Sequence, residues 1–65
     1  MWRTWLFEFT DENSNMCGEQ FCVELKDATK KEARAYAKEQ FPHERIKCLG
    51  EISEDEAEWL GLDTY

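Results

Sequence analysis

The chain is short of cations, has one histidine, one proline and three glycines in 65 residues, and holds no apolar run long enough to cross a bilayer. Each shortage closes off a class of function. Eight Lys and Arg stand against fifteen Asp and Glu, for a formal net charge of −7. A nucleic-acid binder neutralises phosphates with clustered cations, so this balance argues against direct nucleic-acid binding. It argues equally against adhesion to an anionic membrane. The lone His43 has no Ser/Asp constellation around it, so nucleophilic catalysis has no support and no enzyme is expected. There is no phosphate-binding loop, no GxGxxG and no calcium-loop pattern, and no cofactor is expected. Cys17, Cys22 and Cys48 are odd in number and no export signal accompanies them. That favours reduced thiols over a disulfide framework, with a cytoplasmic setting as the expectation.

What is present is aromatic and strongly patterned. Three Trp, four Phe and two Tyr bury much area with few rotatable bonds, which offsets the small core a short chain can build. One domain spanning residues 1–65 is expected, with no linker and no internal repeat.

The stretch Asp27 to Pro42, DATKKEARAYAKEQFP, reads as an amphipathic helix. Thr29 and Glu32 have capping-box spacing, and Asp27 is an alternative cap. Ala33, Tyr36, Ala37, Gln40 and Phe41 share one side of the wheel. Lys30, Lys31, Arg34 and Lys38 form a basic flank, read as a solvated face. Pro42 stops the helix because it lacks an N–H and disfavours helical geometry at Phe41.

Around this helix, three segments alternate as strands do. In Met1–Thr10, Trp5, Phe7 and Phe9 share one face, and Thr4, Leu6 and Glu8 the other. In Glu19–Lys26, Phe21, Val23 and Leu25 alternate with Gln20, Cys22 and Glu24. The polar stretch Asp11–Gly18 joins the two as a long hairpin loop. Arg45–Ile52 is a third, less regular strand, with Gly50 marking a bulge or bend. Ser53–Gly61 reads as a short helix: Ser53 and Glu56 repeat the capping-box spacing and Gly61 suits a left-handed cap. Asp63 to Tyr65 are expected to fray.

The fold class that follows is α+β, in the order β-β-α-β-α. A three-stranded antiparallel sheet of order 2-1-3 carries the main helix on one face, and a short helix ends the chain. The helix-covered face should hold Trp5, Phe7, Phe9, Phe21, Val23, Leu25 and Ile46. The opposite face would show Trp2, Thr4, Leu6, Cys22 and Leu49, more apolar than water favours. Either the C-terminal segment covers it with Trp59, Leu60 and Leu62, or a partner does.

Charge is unevenly spread. Residues 1–25 carry one cation against five carboxylates, residues 26–47 seven against four, and residues 51–65 six carboxylates and no cation. The plain structural expectation is that the acidic tail lies near the basic helix flank and screens it. The functional alternative is an acidic surface that meets a basic site on another protein.

Other chemistry is weakly supported. Cys17, Cys22, His43 and Cys48 offer three thiolates and an imidazole, but their spacing is at the loose edge for zinc and the strand phases point Cys22 and Cys48 to opposite faces, so no metal is expected. Glu54, Asp55, Glu56 and Glu58 lie too close in sequence to aim at one point as a catalytic or metal-binding pair. Trp2 is a poor base-stacking platform against this charge.

The functional expectation is therefore a small acidic, non-enzymatic protein-interaction module, monomeric or weakly dimeric. Its candidate contacts are Trp2, Leu6 and Leu49 on the outer sheet face, and Glu54, Asp55, Glu56 and Glu58 in the C-terminal segment. The alternative is an acidic inhibitor or nucleic-acid mimic, of the type carried by phages and mobile elements, filling a basic site on a nucleic-acid-processing protein.

Overall fold

Strand alternation and helix capping place five elements along the chain. In the computed structural model, which describes residues 1–65, they are β1 (Trp2–Phe9), β2 (Gln20–Lys26), α1 (Lys30–Gln40), β3 (Ile46–Ile52) and α2 (Glu54–Leu60). The sheet is antiparallel throughout, in the order β2-β1-β3. The fold is α+β, with α1 on one face of the sheet. No helix is long and apolar enough to cross a membrane.

The core lies between α1 and the sheet. Trp5, Phe7, Phe9, Phe21 and Val23 pack with Ala33 and Ala37, the two alanines that let the helix sit close to the strands. Met16, Leu25, Tyr36, Phe41, Ile46 and Cys48 close its margins. Phe7 stacks on Phe21 at 5.4 Å between ring centroids, and Phe9 meets Phe41 edge-on at 4.9 Å. Gln40, expected on the buried side of the helix, is exposed.

Thr29 caps α1 with the full capping box. Its hydroxyl accepts from the Glu32 N–H at 3.3 Å, and the Glu32 carboxylate accepts from the Thr29 N–H at 3.2 Å. Asp27 is not the cap. It sits at φ 54, where the chain leaves β2, and its carboxylate pairs with the terminal ammonium of Met1 at 2.6 Å. Ser53 caps α2 in one direction only, accepting from the Glu56 N–H at 3.1 Å. Gly61 closes that helix in the left-handed region, at φ 66.

β3 is interrupted as its glycine suggests. Cys48 opposes Phe7 and Gly50 opposes Leu6, leaving Leu49 as the unpaired residue of a bulge, with Gly50 at φ 122.

The C-terminus departs from expectation. Asp63–Tyr65 do not fray but run parallel to β2 along its outer edge. The Cys22 N–H donates to the Asp63 carbonyl at 2.8 Å, the Glu24 N–H to Tyr65 at 3.1 Å, and the Tyr65 N–H to Cys22 at 2.9 Å. Tyr65 then reaches the α1 side of the sheet, edge-on to Phe21 at 5.7 Å and Phe41 at 5.2 Å. A single polar residue, Thr64, separates the two hydrogen-bonded positions. The apolar count of so short a tail gave no hint of these backbone bonds.

Candidate functional site

The sheet face opposite α1 is assembled from outward-pointing residues of β1 and β2 and the segment that follows β3. Backbone pairing sets Thr4 beside Glu24 on β2 and Ile52 on β3. α2 then crosses over Thr4 and Glu24, and its Ala57 and Leu60, with Leu62 just beyond, are half-buried. Thr4 is 6% exposed and Cys22 fully buried as a result. The cover expected from Trp59 comes from Ala57 instead: Trp59 is 84% exposed and points into solvent.

Two neighbouring clefts result. The first, about 230 Å³, is lined by Trp2, Thr4, Glu24, Glu51, Ile52, Ser53 and Glu54. The second, about 410 Å³, shares Thr4, Glu24 and Glu54 with the first and adds Ala57, Glu58, Gly61, Leu62 and Thr64. No cation lines either.

Of the candidate contacts, Trp2, Glu54 and Glu58 come together at these clefts. Asp55 and Glu56 are exposed on α2 but line neither. Leu6 is half-buried in the middle of β1, and Leu49 stands apart at the bulge, 41% exposed. The continuous apolar outer face expected from Trp2, Leu6 and Leu49 is therefore split by the chain's own C-terminal segment. Glu24 and Glu51 join the clefts without having been singled out. The period of β2 already put Glu24 on this side, whereas the bulge's extra residue shifts the phase of β3, bringing Ile52 opposite Thr4 on this face and turning Glu51 opposite Trp5, so that Glu51 borders the first cleft from the other face.

Glu51 is the only one of these carboxylates with a cationic partner. Arg3 grips it through two N–H groups, at 2.9 and 2.8 Å, and lays its guanidinium 5.1 Å from the centre of the Trp5 ring. Those hydrogen bonds hold the Glu51 carboxyl below the usual glutamate range and push Arg3 above its ordinary value. Arg3–Glu51 and Met1–Asp27 are the two ion pairs of the molecule. Neither joins the C-terminal carboxylates to the cations of α1, so the acidic tail does not screen the basic helix flank. The reason is topological: the tail crosses one face of the sheet and α1 the other.

The thiols are also dispersed. Cys22 is buried beneath the C-terminal segment, and that burial pushes its thiol up. Cys48 borders the α1-side core and Cys17 is exposed in the hairpin loop. His43 is exposed in the turn after α1.

Comparison of the chain with protein-family models, curated proteins and solved structures returns no match.

Proposed function

We propose that the chain is a small, non-enzymatic protein-interaction module whose acidic outer side meets a basic surface on a partner protein. The observation that carries this reading is Trp2, 64% exposed, at the wall of clefts lined by Glu24, Glu51, Glu54 and Glu58, with a second exposed tryptophan, Trp59, on α2 next to Glu58 in sequence. Exposed tryptophans are costly to leave in water and are frequent energetic anchors of interfaces. Carboxylates lining the clefts raise the encounter rate with a cationic partner and reject acidic ones. The same surface supports the second reading, an acidic inhibitor lodged in a basic nucleic-acid-binding site, because the net charge of −7 favours competition with a phosphate backbone.

The test is affinity capture from cells of the native host, followed by mass spectrometry, with wild type beside Trp59→Ala and Glu54→Gln/Glu58→Gln. A partner enriched by wild type and lost by both variants is expected. Retention of the tryptophan requirement in high salt favours the interaction module; collapse of binding with salt alone favours the mimic. A captured set that neither variant changes contradicts both.

A further inference from the structure

We propose that the groove between α1 and the free edge of β3 is a second binding site, which takes an extended acidic peptide segment of a partner protein as an added strand. The two edges of the sheet are not equivalent. β2 is covered along its outer edge by the chain's own Asp63–Tyr65, whereas β3 has β1 on one side and nothing on the other. An uncovered edge presents backbone N–H and C=O groups that an incoming strand can satisfy.

What overhangs that edge gives the incoming strand its chemistry. Lys31, Arg34 and Lys38 form a stripe along α1 above Ile46, around a cavity of about 330 Å³. Next to it Lys30 and Lys47 close over Ile46 and Cys48, around about 270 Å³. No carboxylate lines either cavity. None of these five cations has an ion-pair partner, and only Lys38 has a protein acceptor, the Glu44 carbonyl at 2.9 Å. In a chain of net charge −7, this is a local reversal of field. A strand placed beside β3 directs alternate side chains toward α1, so carboxylates at every second position meet the basic stripe. Backbone recognition selects a peptide over a nucleic acid, whose phosphodiester cannot continue a sheet. The bulge at Leu49 and Gly50 confines pairing to the first half of β3 and keeps the edge from propagating into a fibre.

The site lies on the other side of the sheet from the acidic clefts, so its fate is independent of theirs. The test is an NMR titration of the full chain with an acetylated hexapeptide of alternating glutamate and valine. Binding should shift the Arg34 and Ile46–Cys48 signals and slow amide exchange at the β3 edge. The same peptide N-methylated at alternate backbone nitrogens should not bind, and Lys31→Glu/Arg34→Glu, both exposed positions, should weaken binding by about tenfold or more. The N-methylated comparison uses wild type, so the test stands even if the double variant misfolds. Equal binding of the N-methylated peptide, tighter binding of a single-stranded oligonucleotide, self-association through β3 without peptide, or no binding at millimolar peptide would each overturn the proposal.

Discussion

Arg3 is the residue on which one corner of the candidate surface turns. It contacts an indole ring and a carboxylate at once, linking the start of β1 to the end of β3. Because its hydrogen bonds depress the Glu51 pKa, the pair stabilises the fold above the unfolded glutamate pKa, and that contribution disappears as pH falls through the folded value. NMR titration should find the Glu51 midpoint below the ordinary glutamate value of about 4.3. Arg3→Gln should return it toward that value, and any stability difference between the two proteins should vanish in acid. A midpoint that Arg3→Gln leaves unmoved contradicts the pairing. The neighbouring Trp5 is buried in the α1-side core beneath the Arg3 guanidinium, and its indole N–H finds no protein acceptor.

At the scale of elements, local rules carried most of the architecture. Period-two alternation marked β1 and β2, and the Thr29–Glu32 box with Pro42 bracketed α1 to within a few residues. Gly50 marked the bulge. The C-terminal segment was less legible, because what orders it is not local. Asp63–Tyr65 has no alternation to read, and its partners are backbone groups of β2 some forty residues earlier, so its pairing exists only once the sheet has formed. The same bonds set the path by which the C-terminal segment comes to lie against Thr4 and Glu24 and so divides the outer face. Tyr65 should accordingly be a structural anchor. Its edge contacts to Phe21 and Phe41 predict that Tyr65→Ala lowers urea-unfolding stability by about 1–2 kcal/mol. An unchanged midpoint would place Tyr65 in solvent.

The whole molecule carries its acidic clefts and its basic groove on opposite sides of one sheet. Its shortest extent is 15 Å, whereas the screening length at physiological salt is about 8 Å. The acidic clefts on one side and the basic groove on the other therefore present distinct fields to solvent. Segment charges along the chain anticipated both signs, but not their placement, which depends on α1 and α2 lying on opposite faces of one sheet. This arrangement rests on the closing of the β2 edge by the chain's own end, which commits the last residues to the sheet and leaves β3 as its open margin. Amide hydrogen exchange measured residue by residue tests it most directly. The Cys22, Glu24 and Tyr65 amides, each bonded across the β2–tail seam, should be protected, while amides on the outer margin of β3 exchange freely. If Cys22 and Glu24 exchange as fast as that open margin, the tail does not close the sheet, and the assignment of both surfaces fails with it.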